Sequence, residues 1–374
     1  MLPVIACILA GAVAIPAHGA DRARVVAVTR ADAVSGFHVN DAAVAPMLET
    51  GLCRLFGRRT AAEALATLVS PADTVAVHIS TRGRPPLATH RALVDALVAA
   101  LIKAGIPPRQ IIIWGRNSDE MAASAYSPHL APPGVRLLGI VPGSGFDQDH
   151  FYFNENVGEL IWGDLEFVGS RPDIDELVRR AERDEPIDPK TSKAPRQSSS
   201  KSYFAKVVTR MANKIINVPV MANSESTGLY GCIASLALDS VDNNRRFEYE
   251  PMWGDPALAE IFAEPPIREK TVLHIMDGLL AQYAGGPSLN VNYCHEQATL
   301  YISRDPVAID ATAAALVEKL RATRRLPELA PILGHVQSAE KLGLGVADPA
   351  RIRLETIDTT PGQPAAEPEG TRTP

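Results

Sequence analysis

The sequence predicts an α/β fold: a mainly parallel or mixed sheet flanked by helices and divided into two lobes. Three observations carry this. Residues 74–80 (TVAVHIS) and 110–114 (QIIIW) read as strands, and residues 88–105 between them set Leu93, Val94, Leu97, Val98 and Leu101 on one helical face. Strand, helix, strand is a crossover unit, which pairs its strands in parallel. After Gln110, QIIIW is continuously apolar, as a strand covered on both faces is. The chain of 374 residues, 46% hydrophobic and 21% charged, has a globular composition and room for one large or two ordinary domains.

The elements follow in order. Residues 2–17 (LPVIACILAGAVAIPA) are apolar, shorter than a membrane span, and followed by Ala17-His18-Gly19-Ala20 and the charged Asp21-Arg22. They read as a secretory signal over 1–20, and place the protein in the periplasm or otherwise outside the cytoplasm. Residues 24–30 (RVVAVTR) alternate as a strand. Residues 41–56 carry Val44, Met47, Leu48, Leu52 and Leu55 at helical spacing. After the crossover unit, residues 135–141 (VRLLGIV) add a strand. Residues 183–202, polar and rich in Pro and Ser, read as a linker or insert between an N-terminal lobe (21–182) and a C-terminal lobe (203–358). Strands are expected at 214–220, 271–276, 299–303 and 351–357, and helices at 226–238, 255–262, 305–322 and 327–342. In the 255–262 helix, Asp255 is expected as the cap and Pro256 as the first residue. Residues 359–374 read as a disordered tail.

Composition also limits function. A net charge of −6 opposes nucleic acid or anionic lipid as the main partner. Four cysteines are too few for a disulfide framework, and Cys232 among apolar neighbours reads as core. The phosphate-loop, dinucleotide, nucleophile-elbow and zinc-protease motifs are missing from the sequence.

What remains is polar residues at the ends of apolar strands, where open α/β sheets bind ligands. His78 closes one strand, and Thr89-His90 open the long helix, where Thr89 serves equally as a cap. Arg116 and Asn117 follow QIIIW: a guanidinium there suits an anion, and Asn117 suits a helix start. Asp277, after residues 271–276, is a candidate base or a cap. Gly285 and Gly286 lie in a loop whose bare backbone suits a close ligand or a plain turn. Cys294-His295-Glu296 are metal-capable, but adjacent residues rarely share one ion, so no metal is assigned. Asp305 caps a helix led by Pro306, and Asp310 interrupts its apolar face, which calls for a partner or a function.

In order along residues 74–358, Thr89-His90 with ALVDALVAALIKAGIP, QIIIWGRN, KIINVPV, PPIREKTVLHIMDGLLAQYAGGPS, TLYISRDPVAIDATAAALVEKLR, AEKLGLGVAD and RIRLETID together resemble the bacterial and archaeal family called domain of unknown function 362. The resemblance implies no settled activity. Some of its members carry ferredoxin-type modules, whose cysteine runs this chain lacks, so no iron–sulfur cluster is implied and the cofactor stays unassigned. The chain departs from the family pattern at several charged positions. Ala222 and Ser224 stand where it has Lys and His, Ala237 where it has Lys, His78-Ile79-Ser80 where it has K-x-N, and Trp114-Gly115-Arg116 where it has W-D-R.

Two functions fit. One is an exported enzyme or cofactor-dependent protein acting on a small, anionic molecule. His90 and Asp277 would be its catalytic pair, with His78, Thr89, Arg116, Asn117, Gly285, Gly286, Asp305 and Asp310 at the ligand. The other is a non-catalytic binding protein that kept the fold, as the lost charged positions suggest. Neither calls for nucleic acid or for membrane insertion once the signal is removed.

Overall fold

In the computed structural model, which describes residues 22–169 and 197–362, the apolar runs of the sequence become neighbouring strands. The strands are β1 (Ala23–Thr29), β2 (Val34–Ser35), β3 (His38–Val39), β4 (Val75–Ile79), β5 (Ile111–Gly115), β6 (Arg136–Gly139), β7 (Phe146–Glu159), β8 (Ser198–Ala205), β9 (Lys214–Val218), β10 (Val220–Ser224), β11 (Gly228–Leu229), β12 (Thr271–Gln282), β13 (Cys294–Ser303) and β14 (Ile352–Asp358). The helices are α1 (Asp41–Phe56), α2 (Ala61–Leu65), α3 (Arg91–Lys103), α4 (Ser118–Ala123), α5 (Cys232–Asp239), α6 (Ala257–Ala263), α7 (Pro265–Arg268), α8 (Pro306–Thr323) and α9 (Gly334–Lys341).

The main sheet runs β14-β1-β13-β12-β9-β4-β5-β6, with β10 and β11 joined at β12. Strands β12, β9, β4, β5 and β6 are mutually parallel, and β13 is antiparallel to both neighbours, so the sheet is mixed. Strands from before and after the polar 183–202 segment alternate in this sheet. It therefore joins the two expected lobes rather than dividing between them. Residues 198–202, expected as linker, form the start of β8, which pairs with β7 in a separate two-stranded ribbon. The expected signal (1–20), residues 183–196 and the tail from 363 lie outside the described residues.

The period-2 alternation of each strand feeds two cores. Val75, Val77 and Ile79 of β4 face the core under α1, α2 and α3, with Leu93, Val94 and Leu97. Ala76 of β4 and Trp114 of β5 face the core under α5, α6, α8 and α9. Each buried Leu, Ile or Val contributes about 1.5–3 kcal/mol, so a strand covered on both faces has to be apolar throughout.

Several local expectations are corrected. The strand expected to end at Met276 runs on through Asp277 and Gly278 to Gln282, because its polar side chains find partners inside the fold. The helix expected over 226–238 is Cys232–Asp239. Asp255 does not cap the helix after it, which starts at Ala257. The 327–342 helix shortens to Gly334–Lys341 behind a 3-10 turn. Asp305 does cap α8: its Oδ1 accepts the Ala308 N–H at 2.9 Å, and Pro306 is the first helical residue.

Candidate functional site

From β4 the chain moves outward through α3 to β5 and through α4 to β6, whereas β9 lies on the other side of β4 and leads to β12. Connection order reverses between β4 and β9, and in open α/β sheets the C-terminal ends of the strands at such a point form the ligand crevice. Thr89 bridges these two strand ends. Its hydroxyl donates to the Val218 carbonyl at 2.7 Å and accepts the Ser80 N–H at 2.9 Å. That hydroxyl, expected at the ligand, spends its one proton on bracing the two strand ends.

Behind Thr89, on the α3 face of the sheet, lies a His–Asp pair. One oxygen of Asp277, Oδ2, accepts the His90 backbone N–H at 2.7 Å and His90 Nδ1 at 2.9 Å. Asp277 Oδ1 accepts the Leu279 N–H at 3.2 Å. The carboxylate is buried beside the first turn of α3, whose unpaired N–H groups favour negative charge. The His90 side chain is 16% exposed. With Nδ1 taken, Nε2 is the nitrogen left for a ligand among the described residues. Burial lowers the proton affinity of His90; the charge and hydrogen bond of Asp277, with the charge of Asp41, outweigh it and hold the imidazole above its ordinary value. A histidine so oriented can hold or pass a proton near neutral pH.

On the opposite face, β4, β9 and β12 set His78, Asn217 and His274 side by side in register. The Asn217 amide donates to the Cys232 carbonyl at 3.0 Å, which fixes its oxygen toward His78 Nδ1, 2.8 Å away. His78 Nε2 meets Asp239 Oδ2 at 3.1 Å, and the Tyr230 hydroxyl donates to Asp239 Oδ1 at 2.9 Å. Arg82 lies over the Tyr230 ring at 5.4 Å and donates to Glu248 at 2.7 Å. Burial alone pushes His274 down to about 3, so it is neutral. Both ring nitrogens of His78 are thus taken up within an enclosed hydrogen-bonded network, so neither is left for a ligand. Of this network the sequence pointed only to His78.

The remaining candidates do not converge. Arg116 is 31% exposed at the end of β5 and pairs with Glu120 at 3.1 Å. Asn117 caps α4 by accepting the Glu120 N–H at 2.8 Å. The loop at Gly285 and Gly286 approaches protein rather than leaving a ligand space. Gly285 N–H donates to Glu225, Gly286 N–H donates to Asn223, and a Cβ on Gly286 would lie 2.1 Å from the Asn223 carbonyl oxygen. Asp305 Oδ2 also accepts the Val346 N–H at 3.0 Å. Asp310 caps α5, accepting the Cys232 and Ile233 N–H groups at 2.6 and 2.9 Å. Burial pushes Asp310 up to about 7 against those two bonds, and Asp305 up to about 6. Asn117, Gly285, Gly286, Asp305 and Asp310 each brace a neighbouring segment through these contacts, and they are not brought together around one point. Cys232 is core, as expected. Among the described residues no group of three His, Cys, Asp or Glu side chains is placed to hold a metal ion.

Among the described residues, no helix is long and apolar enough to cross a membrane. No curated protein matches the chain. A crystal structure of a Thermotoga maritima protein, a structural-genomics target, matches with a TM-score of 0.38 and 11% identity. The match covers 78% of this chain, which spans 61% of the length of that one. The model of the family described as Domain of unknown function (DUF362) matches residues 74–315, well over half of the sequence, and the chain belongs to that family.

Proposed function

We propose that the protein is an exported enzyme that moves a proton on a small anionic molecule, with His90 as acid–base group and Asp277 as the residue that orients it. The observation that carries this is the His90–Asp277 pair: one buried carboxylate oxygen holds both the backbone and Nδ1 of a partly exposed histidine beside the β4/β9 reversal. Fixing Nδ1 leaves Nε2 as the reacting nitrogen, the logic of a carboxylate-oriented base. Arg116, half-buried at the end of the neighbouring strand, supports an anionic group at the strand ends, although it stands toward the α5 face and not beside His90. The apolar run 2–17 supports export.

The test uses small hydroxy and oxo acids in D2O, with proton exchange followed by NMR. Exchange with one of them that disappears in His90→Gln and falls in Asp277→Asn is the expected result. Exchange equal in wild type and both variants, or none across the series, overturns the reading.

A second reading, a binding protein without catalysis, is favoured by a specific observation. Ala222, Ser224 and Ala237, which stand at charged positions of the family pattern, are buried, and none of them supplies a charge. It predicts saturable ligand binding with no proton exchange.

A further inference from the structure

Two donors on the α5 face of the sheet have no partner. Ser80 Oγ and Trp114 Nε1 are buried, their residues fully enclosed, and neither makes a hydrogen bond among the described residues. A buried polar group left unpaired costs stability, so each calls for an explanation. Both lie at the C-terminal ends of adjacent parallel strands. His78 and Trp114 are register partners, with ring centroids 4.6 Å apart, and Ser80 is two residues beyond His78.

Two guanidinium groups stand at the same edge. Arg82, two residues beyond Ser80, lies over Tyr230, and Arg116, two beyond Trp114, is close enough for its charge to act on the same phenol. Their side chains are 20% and 31% exposed. Each is anchored by one carboxylate, Arg82 by Glu248 at 2.7 Å and Arg116 by Glu120 at 3.1 Å, and a guanidinium has five N–H donors. Tyr230 is fixed from beneath by Asp239, and Asp239 by His78. An indole N–H, a hydroxyl and the guanidinium N–H groups beyond those that Glu248 and Glu120 take are donors that a further acceptor would fill.

We propose that this edge is an oxyanion site, in which Arg82 and Arg116 take a phosphate or carboxylate group and Ser80 Oγ and Trp114 Nε1 complete its hydrogen bonds. It rests on the reading of the strand ends as a ligand crevice, but not on proton transfer at His90, which lies on the other face of the sheet.

The experiment is a calorimetric and tryptophan-fluorescence titration of the full chain with inorganic phosphate and, separately, with acetate, at constant ionic strength. The expected result is saturable binding of at least one anion, weakened about tenfold or more in Arg116→Gln and in Arg82→Gln/Glu248→Gln, which removes the buried carboxylate together with its partner. Ser80→Ala weakens binding without unfolding the chain, and the fluorescence response is lost in Trp114→Phe. Arg58→Gln, on the distant turn after α1, leaves binding unchanged. Saturation by phosphate alone assigns a phosphorylated ligand, and by acetate alone a carboxylate. Saturation by neither, or equal affinity in wild type, Arg116→Gln and Ser80→Ala, overturns the proposal. Because binding is read without turnover, failure of the proton-exchange assay leaves this result standing.

Discussion

At the residue scale, His90 is held at two points by a single carboxylate oxygen, so the pair can be separated from the rest of the fold by one isosteric change. In Asp277→Asn burial still lowers His90, the Asp277 charge that outweighed it is gone, and only the smaller effect of the Asp41 charge still raises it. The His90 titration followed by NMR should shift to lower pH than in wild type. Stability carries the same signature. A histidine raised above its unfolded value of about 6.5 stabilises the fold fully below that pH and loses this contribution as pH rises through its folded value. The variant should therefore lose about 1–3 kcal/mol at acidic pH and less above the folded His90 value, measured by denaturant unfolding across the pH range. A loss that is independent of pH would mean that Asp277 acts only as the cap of α3. The pairing was legible in part: His90 and Asp277 each follow or interrupt an apolar pattern, but only the fold brings together residues 187 positions apart.

At the element scale, the helix cap Asp305 serves two elements at once, the N-terminus of α8 and the backbone of Val346. Asp305→Ala should cost about 1–3 kcal/mol in thermal or chemical unfolding, the sum of a lost cap and an unpaired N–H. Gly345 is fitted to that carboxylate, since a Cβ there would lie 1.9 Å from Asp305 Oδ1. Gly345→Ala should destabilise wild type more than it destabilises Asp305→Ala, and a double-mutant cycle reads the difference. Additive costs would show that the contact relaxes freely. The α8 cap was visible in the sequence because Asp-Pro followed by an apolar face is a local signal. Strand β12 was visible only to Met276. Asp277 and Gly278 break its apolar run, and their acceptability in a buried strand depends on His90 and on the close approach of Tyr301 to Gly278, contacts with no local trace. The β7–β8 ribbon was missed for a related reason. Its inward row includes Tyr152, Asn154 and Asn156, whose polar groups bind Glu260, each other and Arg246, so the buried side of the strand does not read as hydrophobic.

At the scale of the whole molecule, polar groups fixed inside both cores set how stability responds to pH. Burial pushes Asp242 and Asp310 up to about 7 and Asp305 up to about 6, and His90 is also raised. A carboxyl with a raised value binds more protons folded than unfolded between its unfolded value, about 4, and its folded one, so its contribution falls as pH rises through that window. His90 changes in the same sense from about 6.5 upward. Carboxylates held low by partners act oppositely: burial raises Asp73, but hydrogen bonds from Ser70 and Asn213 and the charge of Lys214 together outweigh it, and Arg24 and Arg54 hold Glu355 low; their contribution is present above the unfolded value and is lost as pH falls. The unfolding temperature should therefore peak on the acidic side of neutrality, fall toward pH 8, and fall again in strong acid. Asp310→Asn assigns the neutral limb. It keeps one acceptor for the α5 N–H groups and has no proton to bind, so it should be less stable than wild type near pH 5 but show a shallower decline between about pH 4 and 7. Thermal unfolding of both proteins across that range decides it. Parallel curves would place Asp310 below its window, ionised throughout by the N-terminus of α5, and would move the pH response to Asp242 and His90.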